Sequence, residues 1–269
     1  MIVDGHVHIC EAPNDDTQLS RTSIDGTTVK WSGTRADAAL DNLLLAMDEN
    51  EIDKAIIMGL EGIISNRHLG EIVNHSSRLE GFAWVTDPKQ PDSVEELETA
   101  VKEYDLIGLK LHPSLHNFVP SDPAIIPLMK KTVELNVPTW IHSYPWPPGY
   151  YFNNLPYHID LLKKQVPEAV IVVGHMGHLN SNDLLVIARQ SRVYAESSWG
   201  LTLMAELNGL DYTVRYLRRI GVDNMVYGSD WFGPNGEMER QLELIEKLDL
   251  TREEKEKILG GNISQILNL

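Results

Sequence analysis

Short apolar runs alternate with longer amphipathic segments along almost the whole chain. The short runs are rich in β-branched residues and most are too short for helices, so each predicts a buried strand. Eight such runs are present: Ile2–Ile9, Lys54–Leu60, Gly81–Val85, Ile107–His112, Val137–His142, Val170–His175, Val193–Glu196 and Met225–Ser229.

Helical periodicity fills most of the intervals between these runs. In Arg35–Glu49 the leucines form one apolar stripe, and Thr34 stands where an N-cap is expected. Strands that alternate with helices imply parallel pairing, and eight such units in 269 residues match the size of a (β/α)8 TIM barrel, an α/β fold. The other predicted helices are Asn66–Ser77, Ser93–Tyr104, Ala124–Leu135, Leu155–Gln165, Asp183–Gln190, Thr202–Arg219 and Met238–Lys247.

The organisation of the chain predicts a single barrel domain over residues 1–269. No Gly/Ser-rich linker, fixed repeat or low-complexity tract divides the sequence. Two connections are long: Cys10–Gly33, which has few apolar residues, and Ser143–Asn153, which is rich in proline and aromatic residues. Both follow predicted strand ends, the face that carries the chemistry in this architecture.

Composition and charge indicate which binding partners and which cellular compartment to expect. The net charge is −16 and no cluster of Lys and Arg stands out, which argues against nucleic-acid binding. The single cysteine, Cys10, excludes an intrachain disulfide and fits a reducing compartment. No signal peptide is expected before the first strand, and no apolar run reaches the length of a membrane span. We therefore expect a cytoplasmic protein without a membrane partner.

The stretch "VDGHVHIC" supplies the first candidate chemistry. In a strand, Asp4, His6 and His8 share one face, so both imidazoles can aim at one metal ion. An isolated H-x-H is as readily a pair of satisfied core histidines. The rest of the chain favours the metal, because six of its ten histidines lie at or just past predicted strand ends: His6, His8, His112, His142, His175 and His178.

A barrel brings such strand ends to one pocket, where Lys110 and Asp230 are also expected. Imidazole and carboxylate are good ligands for zinc and similar divalent ions, and a catalytic site keeps one coordination position open. A neighbouring carboxylate can then accept a proton from water, and an unligated histidine can polarise a carbonyl.

The order H-x-H, K-x-H-P, IHS, GHMGH and GSD resembles the amidohydrolase superfamily. More closely, it resembles the amidohydrolase-related (amidohydrolase 2) branch of aminocarboxymuconate-semialdehyde decarboxylase and the resorcylate decarboxylases. The most distinctive stretch is "IGLKLHPSLHNFVPSDPAIIPLMKKTVELNVPTWIHS", and "EGFAWVTDP", "VYGSDWFG" and "EKILGGNISQIL" extend the similarity nearly end to end. The resemblance implies a distorted (β/α)8 barrel with one divalent metal, zinc or alternatively manganese.

The resemblance also implies roles for individual residues. His6 and His8 would ligate the metal from the first strand, and His142 from the fifth. Asp230 would be both a metal ligand and a catalytic partner for the bound water. His175 would be the catalytic acid/base, close to the metal but not on it.

A second set of residues has less defined roles. Lys110, His112, His178 and Trp146 are candidates for substrate binding. Lys110 could instead be carboxylated and bridge two metals, as in binuclear members of the superfamily. Glu196 ends the seventh strand and lies near the metal only if its side chain faces inward.

Three functions are compatible with this ligand set. The first is a metal-dependent hydrolase, in which activated water attacks an amide, lactone or ester carbonyl of a small molecule. The second is a metal-dependent, non-oxidative decarboxylase of an aromatic or unsaturated acid. The third is a non-catalytic small-molecule-binding barrel. The short chain favours hydrolysis, and the resemblance makes a homodimer possible.

Overall fold

The structure is a computed structural model that describes residues 1–11, 16–22, 26, 28–144, 151–233 and 238–269. Its ten strands are β1 Val3–Val7, β2 Gln18–Thr22, β3 Thr28–Thr34, β4 Lys54–Met58, β5 Leu79–Ala83, β6 Gly108–Leu111, β7 Thr139–Ile141, β8 Ile171–Val173, β9 Val193–Glu196 and β10 Met225–Val226.

Eight of these strands form one parallel sheet in the order β1-β4-β5-β6-β7-β8-β9-β10. The sheet nearly closes on itself, because Val7 of β1 forms a parallel bridge with Trp231, just beyond β10. Two backbone hydrogen bonds join the same seam, from Gly5 N to Tyr227 O (3.0 Å) and from His8 N to Trp231 O (2.7 Å). This arrangement confirms the predicted (β/α)8 barrel.

Helices follow most of the barrel strands. Short 3-10 turns occur at Pro123–Ile125, Tyr151–Asn154, Gly174–Asp183 and Val222–Asn224, and one π-helical turn at Lys257–Gly261. No described helix is long and apolar enough to cross a membrane. The α-helices are α1 Leu40–Glu49, α2 Asn66–Asn74, α3 Ser93–Glu103, α4 Ile126–Glu134, α5 Tyr157–Gln165, α6 Leu184–Ile187, α7 Gly200–Asn208, α8 Leu210–Ile220, α9 Met238–Lys247, α10 Arg252–Glu256 and α11 Asn262–Leu267.

The buried hydrophobic residues form three clusters. The largest packs the sheet against the helices, a smaller, inner one fills the barrel itself, and a third includes Cys10 and Leu19. Trp140 is the largest side chain of the inner cluster, and its ring lies 5.8 Å from that of His6, measured between centroids. The barrel is therefore filled with apolar side chains up to the level of the candidate site. The inner cluster comprises Val3, Ile56, Met58, Phe82, Trp140, Val172, Val226 and Ile263.

The region between β1 and α1 differs from the prediction. Part of the connection Cys10–Gly33 forms an antiparallel hairpin, β2–β3, which the few apolar residues there did not indicate. The first helix begins at Leu40 rather than Arg35, and its N-cap is Ala39. Thr34 ends β3 instead, and its backbone N–H and hydroxyl both donate to Asp37 Oδ2, which holds a turn ahead of the helix.

The long helix predicted over Thr202–Arg219 is two helices. Gly209 separates α7 from α8 with a φ of 81°, a left-handed conformation that ends the first helix. An isolated glycine in an amphipathic pattern is compatible with a continuous helix, so the sequence did not reveal the break.

Candidate metal centre

Two histidines and an aspartate meet where the first and last barrel strands end. His6 and His8 lie at the end of β1, and Asp230 lies beyond β10. The Nε2 atoms of the two histidines are 3.2 Å apart, and each is 3.3 Å from Asp230 Oδ1. The structure thus brings together three of the four side chains predicted as metal ligands.

The outer ring nitrogens of both histidines face hydrogen-bond acceptors. His6 Nδ1 lies 3.1 Å from Glu196 Oε2, and His8 Nδ1 lies 3.0 Å from the carbonyl oxygen of Met58. Since a carbonyl or carboxylate oxygen only accepts, each Nδ1 carries the proton and donates it. Burial and the nearby Lys110 ammonium lower the pKa of His6 well below its usual value, so its Nε2 is unprotonated.

This donor set fits a divalent cation. The Nε2 lone pairs of His6 and His8 and the Oδ1 lone pair of Asp230 converge on one point, which is unfavourable unless a cation lies between them. A second group within 4.8 Å comprises His6, His175 and Glu196. Its carboxylate already accepts three N–H groups, so the first group is the better metal site.

Glu196 occupies the centre of this polar network. It is fully buried at the end of β9, which decides the open question of its direction: the side chain faces inward. Its oxygens accept hydrogen bonds from His6 Nδ1, from the backbone N–H of His175 (3.0 Å) and from the backbone N–H of Ser198. Burial raises the pKa of Glu196 above its usual value, and the contacts with His175 and Ser198 offset only part of this rise.

His175, the predicted acid/base, belongs to a chain of hydrogen bonds. Its Nδ1 lies 2.8 Å from Ser198 Oγ, its Nε2 lies 3.0 Å from His142 Nδ1, and His142 Nε2 lies 3.1 Å from Tyr144 O. Because the Tyr144 carbonyl only accepts, His142 donates from Nε2 and accepts at Nδ1. His175 therefore holds its proton on Nε2, and burial lowers its pKa to about 3.

His142, the fourth predicted ligand, lies outside the group formed by His6, His8 and Asp230. Its ring nitrogens face His175 and Tyr144. Its role as a ligand stays a prediction.

The backbone at the site is left-handed at three strand ends. His175, Trp199 and Asp230 have φ angles of 58°, 55° and 53°. Such conformations are uncommon for residues other than glycine and cluster at functional sites. At Asp230, Oδ2 accepts a hydrogen bond from Trp199 Nε1 at 2.9 Å, while Oδ1 faces the two histidines.

Lys110 reaches the same point from β6. Its side chain is buried, and Nζ lies 2.9 Å from His6 Nε2, so one N–H can be directed at that lone pair. Burial lowers its pKa to about 8, although Asp230 and Glu196 raise it. The lone pairs of His8 Nε2 and Asp230 Oδ1 still face each other.

The other candidate substrate-binding residues surround this centre. His112 stacks on His142, with ring centroids 3.8 Å apart. His178 is half-buried with its ring 4.2 Å from that of Tyr144, and its Nδ1 is buried without a hydrogen-bond partner among the described residues. Trp146 lies outside the described residues.

Two residues near His6 and His8 do not join the donor group. The pairing of β1 with β4 shifts between Asp4 and Val7, so the predicted alternation fails at Asp4. Asp4 Oδ1 accepts from the backbone N–H groups of His6 (3.1 Å) and Ser229 (2.9 Å) and so braces the barrel seam. Cys10 packs as a small buried residue, and burial raises its pKa to about 11.

Ser198 and Trp199 were missed by the sequence analysis. Both contact predicted functional side chains, yet a serine and a tryptophan belong to no ligand motif. Their only sequence signal is their position directly after a predicted strand end.

Comparisons with known proteins agree with the fold and the motifs. A family model described as amidohydrolase matches residues 3–269, which confirms the resemblance drawn from the motifs. A comparison with curated proteins finds no match.

Solved structures similar to this chain carry three different activities in their names. A dihydroxybenzoic acid decarboxylase from Polaromonas sp. JS666, with bound manganese and 2-nitroresorcinol, has a TM-score of 0.73 and 18% identity over 100% of this chain and 97% of that one. A probable 2-pyrone-4,6-dicarboxylic acid hydrolase from Acinetobacter baumannii, with citric acid bound, has a TM-score of 0.73 and 16% identity over 100% and 99%. A 4-oxalomesaconate hydratase from Rhodopseudomonas palustris has a TM-score of 0.69 and 20% identity over 100% and 96%. At these identities the similarity shows a common fold.

Proposed function

Since the chain belongs to the amidohydrolase family, we propose that it is a divalent-metal-dependent enzyme that acts on a small molecule. The observation that carries the proposal is the convergence of His6 Nε2, His8 Nε2 and Asp230 Oδ1, each within 3.3 Å of the others. These residues would hold the ion. His142, the fourth proposed ligand, would have to exchange its hydrogen bond from His175 Nε2 for the ion. A bound divalent ion would supply Lewis acidity, which polarises a carbonyl and lowers the pKa of water.

Zinc suits a site of imidazole and carboxylate ligands, and manganese is the alternative. The manganese in the Polaromonas decarboxylase supports that alternative. A non-catalytic barrel is less well supported, because so many polar groups buried together are costly without an ion or substrate to satisfy them.

The first candidate reaction is hydrolysis of an amide, lactone or ester. Burial raises the pKa of Asp230, but His6, His8 and His175 outweigh this effect and hold it well below its usual value. The anionic carboxylate is therefore available to accept a proton from the attacking water. His175 holds a proton on Nε2, from which it can donate to the substrate oxygen that develops negative charge.

The second candidate is decarboxylation of an aromatic or unsaturated acid, and Lys110 favours it. A buried cation beside the donor group can pair with a substrate carboxylate, and such pairing is strong when both groups are removed from water. The same amine carries protons that can be returned to the substrate carbon after carbon dioxide leaves. The activity named for the Polaromonas structure adds support.

Metal content of the purified chain, without chelators or a histidine tag, tests the proposal. We expect about one divalent ion per chain, and its loss in His6→Ala and Asp230→Asn. The control is His158→Ala, which removes an equally buried histidine whose Nδ1 bonds Ser121 rather than the site. If wild-type protein incubated with zinc or manganese binds neither, the proposal is wrong. About two ions would instead favour a carboxylated, bridging Lys110.

A substrate panel then separates the two reactions. Lactones, esters and amides are monitored for acid release, and hydroxylated aromatic acids for carbon dioxide. Lys110→Met should abolish decarboxylation, because it removes the cation that pairs with the carboxylate. A hydrolase acting on a neutral substrate should retain measurable activity in the same variant.

A further inference from the structure

We propose that Glu196, Ser198 and Trp199 of the segment Glu196–Trp199, sequence "ESSW", are positioning residues that set the ring tautomer of His6, the position of the His175 ring and the orientation of Asp230. This inference rests on the proposed function, because it concerns how the same centre is held ready for a metal ion and a proton transfer. None of the residues of the segment is itself proposed as a ligand.

The segment contacts three of the five residues to which the sequence analysis assigned metal-binding or catalytic roles. Glu196 accepts from His6 Nδ1 and from the backbone N–H of His175. Two residues later, Ser198 Oγ lies 2.8 Å from His175 Nδ1. Trp199 Nε1 then donates to Asp230 Oδ2 at 2.9 Å. These contacts link side chains that come from β1, β8 and the chain beyond β10.

Only an ionised carboxylate satisfies all the donors that meet at residue 196. Three N–H groups approach its two oxygens, and a carboxylate accepts at both. An amide of the same shape would place an NH2 group against at least one of these donors. The environment therefore keeps the proton on His6 Nδ1 and leaves Nε2 free to bind a metal.

The packing around Glu196 is consistent with this role. Gly228 lies beside it, and a Cβ atom there would be 2.8 Å from Glu196 Oε1 and 2.9 Å from His6 Cβ. The absence of a side chain at position 228 is what lets the carboxylate lie against the imidazole. The contact between Glu196 and His6 therefore depends on the close approach of the Gly228 backbone, which lies just beyond β10.

Ser198 and Trp199 act on the other two groups. Since His175 Nε2 donates to His142, its Nδ1 must accept, and the Ser198 hydroxyl is the donor that meets it. Trp199 is left-handed at φ 55°, and its indole holds Oδ2 of Asp230 so that Oδ1 faces the histidines. Each residue thus fixes one atom of the centre.

The test measures histidine tautomers and metal affinity separately. Nitrogen-15 NMR of ¹⁵N-histidine-labelled, metal-free protein reports which ring nitrogen of His6 carries the proton. Competition with a chromogenic chelator gives the zinc affinity of the folded protein. The variant is Glu196→Gln, and the control is Glu206→Gln, the same substitution at an exposed position of α7.

We expect Glu196→Gln to lose the Nδ1–H tautomer of His6 and to bind zinc about 10- to 100-fold more weakly. Glu206→Gln should match the wild type in both measurements. Ser198→Ala should keep both the zinc affinity and the Nε2–H tautomer of His175, because the Tyr144 carbonyl sets that tautomer through His142. Glu196→Asp, which withdraws the carboxylate from His6 Nδ1 without changing its charge, should also lose the Nδ1–H tautomer of His6 and provides a second test if Glu196→Gln does not fold.

The inference is wrong if Glu196→Gln, or Glu196→Asp where only that variant folds, keeps the wild-type Nδ1–H tautomer of His6. The tautomer measurement needs no metal, so it also decides the matter in the case where wild-type protein binds none. If the wild-type protein bound no metal, the proposed function would be overturned, but the positioning of the rings would remain an independent finding.

Discussion

His178 stands apart from the other polar side chains around the centre, because its buried Nδ1 has no partner among the described residues. Burial lowers its pKa to about 4, below the value of 6.5 expected in the unfolded chain. Between pH 6.5 and 4 the unfolded chain therefore binds a proton that the folded protein excludes, so stability falls as the pH falls. Above pH 6.5 the group is neutral in both states and contributes no pH dependence.

Replacing His178 by Gln should flatten this dependence. We expect the wild type to lose about 1 kcal/mol more than His178→Gln between pH 7 and pH 5, less than full burial would give because the ring is only half-buried. Urea unfolding at the two pH values measures the difference. Equal losses in the two proteins would show that His178 does not titrate differently on folding.

At the scale of single residues, the sequence identified the proposed metal ligands better than the residues that hold those ligands in position. His6, His8 and Asp230 were predicted from strand ends and motif order, because metal ligands come from a short list of side chains. Glu196 was left undecided, since one residue of register separates the inner from the outer face of a strand. Ser198 and Trp199 act through contacts between distant strands, which no local pattern records.

Among the elements, α7 packs directly against the turn that carries His175. Gly200 is its first residue, and a Cβ atom there would overlap the carbonyl oxygen of His175 and lie 2.9 Å from Met176 Cβ. The turn that carries His175 to His178 is left-handed at each position, so it has little freedom to move away.

Gly200→Ala should therefore destabilise the protein by about 2 kcal/mol or more, because the helix and the turn must separate. Gly261→Ala is the matched control: this glycine is helical at φ −59°, and its nearest neighbour would lie 3.5 Å from the new Cβ atom. There the substitution should be neutral or slightly stabilising. The free energy of unfolding in urea measures both, and similar values for the two variants would contradict this account of how α7 packs.

Strands and helices with a clear apolar periodicity were predicted, and those without one were not. Val193–Glu196 and Met238–Lys247 have the predicted bounds, because each has a clear apolar pattern and sharp polar ends. The hairpin β2–β3 was missed because it lies outside the barrel and needs few apolar residues. The break at Gly209 depends on a backbone angle, and many continuous helices tolerate one glycine.

For the whole molecule, the candidate metal centre lies across the seam of the barrel. His6 and His8 come from the first strand, and Asp230 comes from the chain beyond the last, so the donors approach from both sides of the junction. Backbone pairing there is sparse: β10 contributes two residues to the sheet, and the bonds from Gly5 and His8 join β1 to the chain just beyond β10. An ion held by these donors would connect the two ends of the barrel.

Metal binding should consequently stabilise the entire fold and not only the local site. At a free zinc concentration 100-fold above its Kd, binding to the folded state alone adds about 2.7 kcal/mol, which is about 5–10 °C in Tm for a chain of this size. Thermal unfolding with zinc and with excess chelator measures the difference. Asp230→Asn should lose most of the shift, whereas Asp211→Asn, the same substitution at an exposed position of α8, should retain it. If zinc raised the Tm of both variants equally, the ion would be binding elsewhere, and the seam between β1 and β10 would be held by its backbone contacts alone.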